Sequence, residues 1–252
     1  MNKKELLKIT DWILRDKYNN KWSSEIINDL SRIKSGEPVD YVIGWKPFLN
    51  CKIDLSFKPL IPRPETEFWV DLVITAIISR PNKSKIKIAD VFAGSGCIGA
   101  AVLKNTQGTT VDFFEKDKNI VKQIKKNLSL NKIAPKSYKV FGSDVLEKAR
   151  GKYDIILANP PYIATSARKT VQKNVLKNEP RLALFGGKTG LVYIKKLLTQ
   201  AKNRLAHGGQ IWMEFSPAQK PEIEKILNKK YTRWQFQKDQ YGKWRFVIIF
   251  SE

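Results

Sequence analysis

Four residues that directly follow an apolar run carry the most pointed chemistry in this chain: Asn159-Pro160-Pro161-Tyr162. Two successive prolines remove backbone donors and fix φ at both positions. The result is a stiff turn with free carbonyl oxygens. The Asn159 side-chain oxygen and the Pro160 carbonyl can then accept both N–H bonds of a planar NH2 group, with Tyr162 stacked on the flat group that bears it. Glutamine, asparagine, adenine and cytosine all offer such a group. An amide nitrogen is a poor nucleophile because its lone pair is delocalised into the carbonyl. Two acceptors pulling on its hydrogens favour a more pyramidal nitrogen, held in line with an electrophilic methyl. Positioning and desolvation would supply most of the rate.

A second constellation lies upstream. Asp90-Val-Phe92-Ala93-Gly94-Ser95-Gly96-Cys-Ile-Gly99 contains the spacing GxGxxG between a predicted strand and a predicted helix. Glycines there let the backbone approach a ligand closely beside a helix N-terminus. The spacing suits a dinucleotide or S-adenosylmethionine. Glu115 ends the next predicted strand, where a carboxylate can accept both hydroxyls of a ribose. Asp117 is its rival, but sits where it would cap the following helix. Asp90 argues against a pyrophosphate, which it would repel, and for a cationic sulfonium or amino group. Asp144, after the third strand, is placed to reach an adenine amine.

These residues need a scaffold. Helical periodicity covers 5–16 and 23–34, with Ser23 or Ser24 as a cap for the second helix. Residues 49–62 read as a short hairpin. A helix runs from Glu65 or Thr66 to about Ser79, and Pro81–Ser84 reads as a loop. Strands are then expected at 86–91, 110–115, 137–141, 153–158 and 210–215, and helices at 97–105, 117–130, 189–206 and 217–229. Two final strands, 232–238 and 245–251, are close enough to form an antiparallel hairpin. This alternation predicts an α/β fold with a mostly parallel seven-stranded sheet covered on both faces. Three units are expected: a helical unit over 1–48, a hairpin and connecting helix over 49–80, and the ligand-binding domain over 81–252. The connection 163–188 is long enough to imply a functional role.

Composition excludes several classes. One histidine, His207, and two cysteines, Cys51 and Cys97, leave no two-His or four-ligand zinc site and no disulfide framework. No metal is expected. No stretch approaches the ~20 apolar residues of a membrane helix, and the first sixteen residues are too charged for a signal peptide. A cytoplasmic protein is the expectation. The net charge of +22 raises the prior for a polyanion partner, but only 10 of the 46 basic residues are arginine and the lysines are scattered. A solvated, lysine-biased surface explains them, and direct nucleic-acid binding is not expected.

The motifs together resemble those of the release factor N5-glutamine methyltransferases, the bacterial PrmC/HemK group. The resemblance spans SGEPVDYVIGWKPF (35–48), LIPRPETE (60–67), DVFAGSGCIGAA (90–101), YDIILANPPYI (153–163), NEPRLALFGGKTGL (178–191) and HGGQIWMEF (207–215). It implies a class I methyltransferase fold and methyl transfer from S-adenosylmethionine to the glutamine of the Gly-Gly-Gln tip of class I peptide chain release factors. It implies cofactor contacts from Phe92, Ala93, Gly94, Ser95, Gly96, Glu115 and Asn159, to which the reading of the residues themselves adds Asp90, Asp144 and Val145. Asn159, Pro160, Pro161 and Tyr162 would hold the glutamine, with Arg63 and Glu65 at the mouth of the site. Glu179 and Arg181 would help order the long connection. The helical unit, which docks the release factor in that family, is about one helix shorter here.

Two further departures concern the cofactor. Phe92-Ala93 replaces the usual Gly-Thr-like pair, so Phe92 would crowd the methionine end or pack beneath it. Val145 stands where an aromatic often follows the Asp144 position. Two alternatives keep part of the chemistry: glutamine methylation of ribosomal protein L3, and adenine-N6 methylation of nucleic acid. A cofactor-binding module without catalysis and a nicotinamide dehydrogenase explain fewer of the motifs. The chain also has its own Gly208-Gly209-Gln210, read as an ordinary helix C-cap leading into a strand.

Overall fold

The computed structural model describes residues 3–80 and 85–252. The loop expected at Pro81–Ser84 lies outside the described residues. Seven strands form one sheet in the order β5-β4-β3-β6-β7-β9-β8. Their ranges are β3 Ile86–Val91, β4 Thr109–Glu115, β5 Tyr138–Gly142, β6 Tyr153–Ala158, β7 Leu205–Glu214, β8 Arg233–Lys238 and β9 Trp244–Phe250. The first five are mutually parallel, and β9 runs antiparallel to both β7 and β8. The expected α/β architecture is therefore present, with the last strand of the chain inserted between its two neighbours.

Sequence dictates which strands are central. Ile86–Val91 and Tyr153–Ala158 are almost continuously apolar and are buried along nearly their whole length, as parallel strands covered on both faces must be. One face packs on helices α4 (Pro64–Ile78), α5 (Cys97–Asn105) and α6 (Lys118–Leu130), the other on α9 (Val192–Ala201) and α10 (Lys220–Leu227). In α5, a Cβ added at Gly99 would come within 2.4 Å of the Phe113 ring. This glycine lets the helix lie flat on β4.

The amino-terminal unit consists of α1 (Lys3–Tyr18), α2 (Glu25–Lys34) and a short α3 (Val39–Ile43) that periodicity did not reveal. Its centre is Asp29, which is buried and bonded by Lys17, Tyr18 and Arg32. Ser24 occupies the N-cap of α2 without making a side-chain cap bond. The hairpin starts earlier than expected. Its strands are β1 Trp45–Phe48 and β2 Cys51–Asp54, turning at Leu49-Asn50 with φ of +42° and +64°. The boundary drawn between 48 and 49 thus falls at the turn itself. Buried polar groups of α6 and its C-cap fasten this hairpin: Asn131, the C-cap, exchanges two bonds with Lys52, and Asn127 and Gln123 accept from the backbone N–H of Asp54 and Phe57.

Two other expectations are corrected. The helix predicted for 189–206 stops at Ala201, and β7 begins at Leu205. Gly208-Gly209 is therefore no helix cap. It lies within β7, where the pairing with β6 slips between Leu205 and Gln210. Gly208, at φ +68°, takes up this irregularity. The connection 163–188 is structured rather than open. It holds a 3-10 helix (Thr165–Thr170), α7 (Lys173–Asn178) and α8 (Arg181–Leu184).

Candidate active site

The carboxyl ends of β3, β4, β5 and β6 open into a cavity with about 990 Å³ of empty space, its open mouth included. Such a crevice is where open α/β sheets bind ligands. Among its lining residues are Arg63, Phe92, Ala93, Gly94, Ser95, Glu115, Asp144, Val145, Asn159 and Pro161. Residues spread over nearly 100 positions of sequence are thus brought together. Asp90, Gly96, Pro160, Tyr162 and Glu65 do not line it. Glu65 is half-buried in the first turn of α4. Gly96, at φ +77°, is the N-cap of α5.

Glu115 stands at the end of β4. Its two oxygens accept from the backbone N–H of Gly94 and of Asp117, each at 2.9 Å. Burial raises its pKa, and these backbone donors pull the other way. Each carboxylate oxygen has a second lone pair, so hydroxyl donors can still be accepted. Asp117 itself caps α6, accepting from Asn119 N and Ile120 N. That is the bland role the spacing allowed.

Asp144 lies opposite Lys116 at 2.8 Å and Lys196 at 3.1 Å. Burial works against its charge, but the two ammonium groups hold its pKa below the ordinary value. Beside it, Val145 and Phe92 both adopt left-handed backbone, at φ +57° and +59°. For non-glycine residues this costs roughly 1–2 kcal/mol each. The resemblance implies a glycine at the Phe92 position, a residue that would take this φ without strain. The Phe92 ring meets Tyr193 edge-on at a centroid distance of 5.9 Å. With Val145 they belong to one apolar cluster on the cavity wall. Tyr193 was not singled out from sequence. It follows the long connection at the start of α9, and only an aromatic at that position could have hinted at it.

Asp90 is fully buried beneath the glycine loop. One oxygen accepts from Gly99 N at 2.9 Å, and the other has no partner among the described residues. Direct contact with a ligand in the cavity is therefore closed to it, and its bond to Gly99 braces the loop from below. Burial pushes its pKa to about 8. The folded chain thus holds this proton more tightly than the unfolded chain, whose carboxyl titrates near 3.8. The sign follows: the stability that Asp90 contributes is fully present below its unfolded pKa and is lost as pH rises through about 8. The rise is worth on the order of 5 kcal/mol. Asp90→Asn keeps the shape and the acceptor but cannot ionise. Its advantage in Tm over the wild type is expected to grow by about 10 °C between pH 5 and pH 8. Parallel curves in ligand-free scanning calorimetry would contradict this.

The Asn-Pro-Pro-Tyr turn is held on every side. The Asn159 Nδ2 donates to Thr66 Oγ1 at 3.2 Å, and Thr66 donates to Glu214 Oε2 at 2.7 Å. Glu214 also accepts from Trp69 Nε1 and from the Tyr162 hydroxyl. Burial raises the pKa of both Glu214 and Tyr162. The Tyr162 hydroxyl is thereby turned into the core. Downstream, Gln219 donates to the carbonyls of Tyr162 and Gly190. A Cβ at Gly190 would approach the Tyr162 carbonyl oxygen to 2.1 Å, and its φ is +75°. The glycine allows the connection to press against the turn. Arg63 pairs with buried Glu179, which also accepts from Ile61 N. Glu179 therefore does tie the connection to the segment before α4. Thr66, Trp69, Glu214 and Gln219 were all missed from sequence.

Residues 70–197 match the Methyltransferase small domain family. A release factor glutamine methyltransferase of Lactococcus lactis is 31% identical, over 98% of this chain and 90% of its own. The chain belongs to the release factor glutamine methyltransferase family. Another member, from Streptococcus pneumoniae, is 30% identical over 96% of this chain and 86% of its own. Among solved structures, the 16S rRNA N2 G1207 methyltransferase of T. thermophilus superposes with a TM-score of 0.60 at 19% identity. That match covers 82% of this chain and 50% of that one, and shows the shared fold alone. The relatives favour glutamine methylation over the ribosomal protein L3 and adenine alternatives. Among the described residues, no group of three or more His, Cys, Asp or Glu could hold a metal, and no helix is long and apolar enough to cross a membrane.

The cradle fits S-adenosylmethionine, the cofactor of this methyltransferase family. It offers close backbone approach at Gly94, a carboxylate with spare lone pairs at Glu115, an apolar wall of Phe92, Val145 and Tyr193, and an ionised Asp144.

Proposed function

We propose that this enzyme methylates the side-chain amide nitrogen (N5) of the glutamine in the Gly-Gly-Gln tip of class I peptide chain release factors. The observation that carries the reading is the orientation of Asn159. Its amide NH2 is committed to Thr66, and its Oδ1 has no protein partner among the described residues. The Pro160 carbonyl likewise accepts no bond from them. Two free acceptors beside the cofactor cradle suit a planar NH2 donor. S-adenosylmethionine, when bound, supplies the electrophilic methyl carbon.

The residues divide the work. Glu115 accepts the ribose hydroxyls, and Asp144 accepts from the adenine amine. Phe92, Val145 and Tyr193 wall the adenine and exclude water. Ala93, Gly94, Ser95 and Gly96 shape the methionine end, with Asp90 bracing them from beneath. Asn159 and Pro160 draw on the two amide hydrogens. Pro161 and Tyr162 fix the turn, the tyrosine hydroxyl anchored on Glu214. Arg63 and Glu65 meet the approaching release factor. Residues 1–48 dock that protein, 49–80 link the two parts, and 81–252 perform the transfer.

The test is transfer of labelled methyl from S-adenosylmethionine to a class I release factor and to its Gly-Gly-Gln→Gly-Gly-Ala variant, with ribosomal protein L3 and RNA as further acceptors. Label on the release factor is expected, and none on the variant. Label confined to L3 or RNA would overturn the reading.

A further inference from the structure

A carboxamide can be turned by 180° with almost no change in shape, so only its partners decide which end is oxygen. At Asn159 the deciding chain of partners is fully specified. The indole Nε1 of Trp69 can only donate, and it meets Glu214 Oε2 at 2.9 Å. That oxygen is therefore an acceptor, and because the hydroxyl oxygen of a carboxylic acid accepts poorly, any proton on Glu214 belongs on Oε1, where the Tyr162 hydroxyl can accept it. Thr66 Oγ1 lies 2.7 Å from the same Oε2. Its hydroxyl hydrogen is thereby committed to Glu214. The Thr66 oxygen can then only accept from Asn159, which must offer NH2. Thr66, Glu214 and Trp69 are only 2%, 1% and 0% exposed, so bulk water competes little for these bonds.

We propose that Thr66, set by Glu214 and Trp69, fixes the polarity of the Asn159 amide and thereby makes the site select an amide over an acid. The proposal rests on the reading of Asn159 as acceptor for the substrate NH2, and adds to it a specificity-determining residue. With Oδ1 outward, Asn159 and the Pro160 carbonyl present two acceptors. Glutamine meets them with two N–H donors. Glutamate meets them with oxygens and is repelled. Without the Thr66 hydroxyl, the Asn159 amide is free to turn and offer NH2 to a carboxylate. Thr66 is a positioning residue, because it acts through Asn159.

The experiment compares wild type, Thr66→Val and Thr66→Ser on a release factor, with its Gly-Gly-Gln→Gly-Gly-Glu variant as inhibitor. The readout is the ratio of the inhibition constant of the Glu variant to KM of the glutamine substrate. Thr66→Val is expected to lower this ratio by about tenfold, the worth of one reversed hydrogen bond. Its kcat is expected to fall several-fold and its Tm by a few degrees, with cofactor affinity close to wild type. Thr66→Ser keeps the hydroxyl and is expected to restore the ratio to within about threefold. Thr66→Ala replaces Thr66→Val should the branched side chain impair folding. An unchanged ratio in the hydroxyl-free variant, or a lowered ratio that serine does not restore, overturns the proposal while active wild-type enzyme upholds the function. Failure of wild type to methylate the glutamine would instead overturn the functional reading itself.

Discussion

Asn159→Ala is expected to lower kcat for glutamine methylation by about 10²- to 10³-fold, the usual cost of removing one preorganised hydrogen-bonding group from a reacting centre. The dissociation constant for S-adenosylmethionine is expected to stay within about threefold. The asymmetry follows from what Asn159 touches. Its NH2 is spent on Thr66, so the amide oxygen is the group left for chemistry. The cofactor cradle is built elsewhere, from the glycine loop, Glu115 and the wall around Val145. Alanine removes the acceptor and leaves that cradle standing. It also leaves the Thr66 oxygen without a donor, a local cost of roughly 1 kcal/mol that the fold can absorb. Equilibrium cofactor binding and single-turnover methyl transfer would separate the two quantities. Near-normal turnover at saturating cofactor, combined with a large loss of cofactor affinity, would assign Asn159 to the cradle instead.

The parts of this site that sequence revealed are those carried by local backbone rules. Two prolines after an apolar strand, a glycine loop before a helix and a carboxylate ending the next strand each announce themselves within ten residues. The alternation of strand and helix was equally legible, because burial on both faces demands nearly unbroken apolar runs such as Tyr153–Ala158. What stayed hidden depends on long-range pairing. Thr66 and Glu214 are 148 positions apart, and Thr66 is a small hydroxyl inside the acidic-looking turn PETE. Nothing local marks it as part of a buried relay. Asn127 and Asn131, which nothing local in the sequence marks, hold β2 against the domain.

Asp90 shows the opposite error. Its position at a strand end is right for a ligand contact, but side-chain direction alternates along a strand. Here the side chain enters the core under Gly99. Helix ends were misjudged where glycines compete for meaning. Gly208-Gly209 reads as a cap by composition, while the pairing of β7 with β6 uses it as an irregularity inside a strand. A one-chain pattern cannot tell these apart, because the deciding partner strand lies about fifty residues earlier. The short α3 was missed because five residues span too few turns for periodicity to register.

Glu115→Ala is expected to raise the dissociation constant for S-adenosylmethionine by about 10²-fold, while kcat at saturating cofactor stays within about threefold. Hydrogen bonds to an ionised acceptor contribute roughly 1.5–3 kcal/mol each, and a ribose offers two hydroxyl donors. A second loss compounds the first. The N–H groups of Gly94 and Asp117, both now held by Glu115, are left without their acceptor, and the glycine loop loses its tie to β4. Glu115→Gln separates the contributions, since its single oxygen can keep one of the two backbone bonds. The pH dependence has a definite sign. Burial raises the pKa of Glu115 above the ordinary value, so its ionised, accepting form is lost as pH falls through that raised value. Wild-type affinity for the cofactor is therefore expected to weaken on acidification sooner than an ordinary glutamate would allow. The glutamine variant should lack that component. Titration calorimetry between pH 5 and pH 8 measures both effects. Unchanged affinity in Glu115→Ala would remove Glu115 as the ribose ligand, and identical pH profiles for wild type and Glu115→Gln would place the titrating group elsewhere.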